Sequence, residues 1–243
     1  MKDILQDIVS HTHALGFLNL LKVSTDSKKT TISSLAEDRS VILMGETHQR
    51  VKEFSGVFGM TNLEKLNLHL KNPEYRERAK IEVVNESKED VEYPAYIHFE
   101  NEAGDFENDY RFMNKEIIES KLKTVKFKGV NWDVEFTPSA AAIARLKLMT
   151  AVHSEEPSVV VSTTSDGLQF KFGDAASHAG KYIFNPDTDQ KLKYSWSYPV
   201  ANIQSILNLD GDCRMYVSDE GAMQISIDSG LCLYNYILPA QAK

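Results

Sequence analysis

Cysteine is scarce in this chain. Among 243 residues only Cys213 and Cys232 occur, neither in a CxxC pair and neither close in sequence to a histidine. A disulfide framework or a structural zinc site needs more than that. Both fall inside strand-like segments, where the expected state is a buried, reduced thiol in a reducing compartment. Long apolar runs are also missing. None approaches the ~18 residues that would cross a bilayer, and the N-terminus lacks the apolar core of a signal peptide. The expected setting is the cytoplasm, away from membranes. Positive charge is in deficit too: 27 Lys and Arg against 35 Asp and Glu give a formal net charge of -8. That excludes a simple basic DNA-binding domain but leaves room for a local basic face.

Catalytic signatures are equally absent. The glycines near residues 56 and 59 form neither a GxGxxG fingerprint nor a P-loop, so nucleotide binding has no signal. No HExxH or serine elbow occurs. His11 and His13, two apart on a helix, project about 200° from each other and cannot share a metal. Asp210 and Asp212 belong to a DGD turn, which turn geometry alone explains. No cofactor, no metal and no enzymatic activity are expected.

What is present is alternation. The stretch 198–239 reads YPVANIQSILNL, a short helix entered through a proline, then the strand-like pieces CRMYV, AMQISI and LCLYNYIL. The turns between them, SDEG and DSG, carry the Asp/Gly chemistry of tight hairpins. Upstream, residues 3–15 predict a helix with Ile4, Ile8 and Leu15 on one face and Leu5 beside it. Strand-like FLNLLKVS, TTISSLA and SVILMGE follow. Residues 60–72 predict a second helix with Leu63, Leu66 and Leu70 inward, ended by Pro73. Then come AKIEVVNE, the charged turn ESKEDVE, YPAYIHFEN, an acidic loop over 102–109 and YRFM. The charged stretch 114–123 predicts a connector. Beyond it the pattern restarts: a long strand VKFKGVNWDVEFT, a helix after Pro138 with Ile143, Leu146 and Met149 inward, then SVVVSTT, LQFKFG, AGKYIFN and KLKYSWS.

The two halves share an order: helix, three or four strands, helix, about three strands. Antiparallel strands in such numbers exclude the parallel α/β enzyme folds. The expected class is α+β, with two similar domains at 1–113 and 124–243, each setting two helices against antiparallel sheets.

Three stretches carry a resemblance to a known family. GVFGMTNLEKLNLHLKNPEY resembles the loop and second helix of the first domain of a DNA sliding clamp; YPVANIQSILNL resembles a helix entry of the second; AMQISIDSGLCLYNYILPA resembles the last hairpin and tail. The chain looks like the clamps of tailed phages, with two domains per subunit, related in fold to proliferating cell nuclear antigen. The resemblance implies the ring-forming DNA-clamp fold and a homotrimer that encircles double-stranded DNA without reading its sequence. It implies an ATP-dependent clamp loader, a tethered DNA polymerase, and transcription factors as partners in phage late transcription. The DNA-facing residues would be Lys65, His69 and Lys71 of the second helix and Arg145 and Lys147 of the third. Gln6, Ser10, His13, Ser205 and Asn208 would be uncharged neighbours. A partner peptide would dock beside Met113, Ile117 and Ile118 on the connector and Tyr236, Leu238 and Pro239 on the tail. Subunits would join through AGKYIFN of one copy and a strand within 93–113 of the next. Against these stand plainer readings: a solvated helix face for the cations, a connector pinned to a sheet for the isoleucines. The competing class is a non-enzymatic structural or assembly protein built from duplicated β domains. A hydrolase with a site assembled from scattered Asp and Glu is a remoter third.

Overall fold

Apolar residues spaced by three and four open the chain as a helix, and strict alternation then takes over. A computed structural model describes residues 1–88, 91–122, 127–174, 176, 178–186 and 188–241, with Lys88 and Val91 described in backbone only. The described chain divides into two compact units, Met1–Lys126 with Ser229–Tyr234, and Phe127–Asp228 with Asn235–Lys243.

In the first unit, helix α1 (Lys2–Ser10) buries Leu5, Ile8 and Val9. It stops short of the expected Leu15 because two side chains take its carbonyls. His11 Nδ1 lies 2.9 Å from Asp7 O, and Thr12 Oγ1 donates to Ile8 O at 2.6 Å, the competition that ends helices at such residues. A 3₁₀ turn over His13–Leu15 follows and closes on Gly16 at φ +81°. Strands β1 (Leu20–Thr25), β2 (Thr30–Leu35) and β3 (Ile42–Thr47) form a meander, and β4 (Gly56–Thr61) returns beside β1, with Val23 opposite Phe58. The order is β4-β1-β2-β3. Helix α2 (Leu63–Lys71) buries Leu63, Leu66, His69 and Leu70 and packs beside α1. A second three-stranded sheet holds β5 (Lys80–Lys88), β6 (Val91–Glu100) and β7 (Glu107–Arg111), in that order. Residues 89–90 of the expected charged turn lie outside the described residues.

The GVFGMT stretch, expected as loop, is strand β4. Gly56 and Gly59 hide its alternation, yet Phe58 and Met60 are buried at 1% and 0%. The connector also differs from expectation. Residues 115–121 form helix α3 (Lys115–Lys121), opened by Asn114, whose side chain accepts from Ile117 N at 3.1 Å. Ile118 is wholly buried against β4. A Cβ at Gly59 would fall 2.9 Å from Ile118 Cδ1 and Cγ1, so the glycine makes the seat for the isoleucine. The connector is therefore pinned to the first unit; its last expected residue, 123, lies outside the described ones.

The second unit repeats the scheme. The expected long strand shortens to β8 (Val134–Phe136), since Gly129 turns the chain at φ +77°; residues 125–126 are outside the described ones. Helix α4 (Ala140–Val152) starts at Ser139, whose Oγ accepts from Ala142 N at 3.1 Å. Of its expected inward residues Leu146 is fully buried, while Ile143 and Met149 are half-buried. Strands β9 (Ser158–Thr164), β10 (Gly167–Phe172) and β11 (Gly180–Asn185) form a meander, with β12 (Trp196–Pro199) beside β9. The order, β11-β10-β9-β12, reproduces β3-β2-β1-β4. Helix α5 (Val200–Leu207) buries Val200, Ile203, Ile206 and Leu207 and packs beside α4. Strands β13 (Asp212–Val217), β14 (Ala222–Asp228) and β15 (Cys232–Pro239) close the series, with β8 beside β13. The first residues of β15, Cys232–Tyr234, belong to the first unit, where His48 N donates to Leu231 O at 2.9 Å.

Candidate nucleic-acid interface

Two helices carry the cations singled out above. On α2, Lys65 and Lys71 are exposed, with Leu68 between them at 59% exposure. His69 is not with them. It follows Leu66 by three residues, which turns it toward the same side, and its ring stacks 5.0 Å from Phe99 and lies 6.4 Å from Tyr75. Burial, with Lys65 adding to it, lowers its pKa, so this residue is a neutral core imidazole and leaves the set of phosphate contacts.

On α4, Arg145 and Lys147 are both exposed. Their neighbours on the solvent side are Ala144, Leu148, Ala151 and Val152, with Leu148 at 68% and Val152 at 72% exposure. Sequence reasoning missed these two, because a helix with apolar residues on every side shows no buried face by periodicity. Among the uncharged candidates, Gln6, Ser10 and Asn208 are exposed and Ser205 is half-buried. His13 is occupied: its Nε2 lies 2.5 Å from Glu64 Oε2, joining the turn after α1 to the start of α2. The exposed cations of α2 and α4 thus number four per chain, Lys65, Lys71, Arg145 and Lys147. Cations so sparsely placed are of the kind that gives weak, salt-screened attraction to phosphates.

The residues expected around a partner peptide fall into two groups. In the first unit, Ile117 is 45% exposed and Met113 half-buried, its backbone exchanging both hydrogen bonds with Gly59 at 2.8 Å. Ile118 is spent on β4. In the second unit Tyr236 and Leu238 are 0% exposed and offer no surface, because β15 is covered on both faces from residue 236 to 238. Pro239 alone of the three is exposed, and the tail beyond it is held by Ala240 N donating to Gly221 O at 2.7 Å and Gln241 N to Ser197 O at 2.9 Å.

Two of the terminal strands bear on assembly. Strand β7 is a terminal strand of the first unit's three-stranded sheet, and β11 of the second unit's four-stranded one. Neither cysteine is in a disulfide; Cys232 is buried, and burial pushes the half-buried Cys213 up to about 12. Among the described residues no cluster suited to a metal ion occurs, and no helix is long and apolar enough to cross a membrane.

No protein-family model matches the sequence, and no curated protein does. Solved structures do match in three dimensions, and they are proliferating cell nuclear antigens: this chain has their fold. The A. fulgidus antigen bound to the C-terminal region of FEN-1 superposes with a TM-score of 0.66 at 10% identity, over 100% of this chain and 95% of that one. The Thermococcus kodakaraensis antigen gives 0.67 at 12% identity over 98% and 97%. That of Entamoeba histolytica gives 0.66 at 10% over 99% and 94%.

Proposed function

We propose that this protein is a sliding clamp: a non-enzymatic homotrimer that closes around double-stranded DNA and tethers a DNA polymerase for processive synthesis. An ATP-dependent clamp loader places it there. The stretches that resemble tailed-phage clamps favour a phage processivity factor working in the host cytoplasm and serving late transcription through further partners.

The observation that carries the reading is the repeat and the edges it leaves over. Within the chain, the third strand of the first meander, β3, neighbours the opening of the last strand of the second triplet, β15. The equivalent strands of the opposite halves are β11 and β7, and both end their sheets. A second copy supplies what each lacks, and a head-to-tail contact of that kind generates a ring when its rotation closes. Duplex DNA would pass along the α2 and α4 cations, with the acidic remainder of the molecule repelling it elsewhere. Partner peptides would anchor on Ile117 and Met113 of the connector. The A. fulgidus antigen holds the C-terminal region of FEN-1, and a polymerase terminus is the corresponding ligand here.

The test is topological. Loaded protein should stay on nicked circular DNA and leave it after linearisation. Replacing Lys65, Lys71, Arg145 and Lys147 together by Ala should impair loading or retention while the solution mass stays at three chains. Processive synthesis equal to wild type by that variant at moderate salt would remove the four from the lining.

A further inference from the structure

The β7 and β11 edges carry opposite charge, each on the face turned away from its own core. In the β5-β6-β7 sheet, Ile97, Phe99 and Tyr110 point inward. The outward rows are Lys80, Glu100 and Glu107, then Glu82, His98 and Asp109. Lys80 is taken by Glu82 at 2.8 Å, with Glu100 at 3.8 Å. His98 holds Asp109 at 2.9 Å, with Glu107 3.9 Å away. Four carboxylates therefore face one lysine and one histidine, and the two nearest the open edge, Glu107 and Asp109, are 71% and 46% exposed. Arg111, at the far end of β7, is drawn back to Glu86 at 3.3 Å and over the Tyr96 ring.

The β11 edge is the reverse. Phe170, Phe172 and Phe184 face inward, and Lys171 stands directly opposite Lys181 on the outward face. Both are exposed, and among the described residues neither has an ion-pair partner. Like charges opposite each other weaken a strand pair, so this arrangement is unfavourable within the chain as it stands.

We infer that these charges key the ring contact. They let the β7 edge of one copy accept only the β11 edge of the next, and they bar either edge from pairing with its own kind. The inference rests on the ring proposed above and names what specifies its polarity. Side chains alternate along a strand, so once the apolar faces of two joined sheets coincide, the outward faces coincide as well. Lys181, with Lys171 behind it, then meets Glu107 and Asp109. Two β7 edges brought together about a twofold axis would set these carboxylates against themselves, and two β11 edges would do the same with lysines. Closed twofold dimers are thereby disfavoured and the head-to-tail contact remains.

Charge reversal tests this in the full-length chain. Glu107→Lys with Asp109→Lys, or Lys171→Glu with Lys181→Glu, should each weaken self-association at least about tenfold and give monomer mass by light scattering at moderate salt. A chain carrying all four reversals should assemble again. With circular dichroism confirming folded protein, either single-edge variant keeping wild-type mass, or the fourfold variant staying monomeric, overturns the inference. A salt titration of the unaltered chain reads the same contact without substitution: mass should fall as salt rises, and a trimer indifferent to salt counts against charge keying while leaving the ring itself standing. An unaltered chain that stays monomeric at every concentration removes the paired edges altogether, and retention on circular DNA then judges the clamp reading separately.

Discussion

Asp7 shows how much a single carboxylate organises. Its Oδ2 accepts from Tyr234 Oη at 2.7 Å and from Ser229 Oγ at 3.0 Å, and His11 Nδ1 lies 3.3 Å from Oδ1. The His11 ring stacks on Tyr234, centroids 4.6 Å apart and planes 4° from parallel. Burial alone would raise the Asp7 pKa, but the bonds from His11, Tyr234 and Ser229 outweigh it and hold it below 3.8. A depressed carboxyl contributes stability that is full above its unfolded value and lost as the pH falls through the folded one. Asp7→Asn should therefore cost about 1.5–3 kcal/mol near neutrality. The gap to wild type should shrink below about pH 4, as measured by denaturant unfolding at several pH values. Of these partners only His11, four residues on, lies close in sequence; Ser229 and Tyr234, 222 and 227 residues away, were not legible there. His69 could have been read correctly: its place three residues after Leu66 predicts an inward ring, and its polarity alone suggested otherwise.

Among elements, those with clean periodicity were legible, and β4, whose alternation two glycines break, was not. The meander β1–β3 and the closing strands β13–β15 lie where alternation predicts them. Strand β4 was hidden because Gly59 gives up its side chain to make room for Ile118. The peptide-site residues of β15 were misjudged for a related reason. The run from Tyr236 to Leu238 is apolar on both faces, the mark of a strand covered on both sides, and such residues cannot line an open pocket. The α3 seat makes a direct prediction. Ile118→Ala should cost about 2–4 kcal/mol and release the helix, read as faster proteolytic cleavage between residues 115 and 122 in the native state. The sheets should persist by circular dichroism.

For the whole molecule, the order of elements carried more than any motif. Two helices and two triplets or quartets of strands per half suffice to specify the class, because an antiparallel sheet with one apolar face must be covered by helices or by a second sheet. Net charge was informative in a different way: an average of -8 conceals an acidic edge at β7, a basic edge at β11 and four cations on α2 and α4. Averages over sequence cannot resolve such placement, since it arises only when strands fix which side chains share a face. The division of the chain has a further consequence for its synthesis. Ser229–Tyr234 complete the first unit, so that unit cannot finish folding until the ribosome has passed residue 234. Nascent chains halted at residue 228 should leave Asp7 without Ser229 and Tyr234. Their first half should be cleaved by protease far sooner than in the released protein, and equal resistance in both would show that the unit closes early. A unit that waits for a partner 222 residues downstream of Asp7 spends much of its translation exposed, with the slow folding expected of distant pairings.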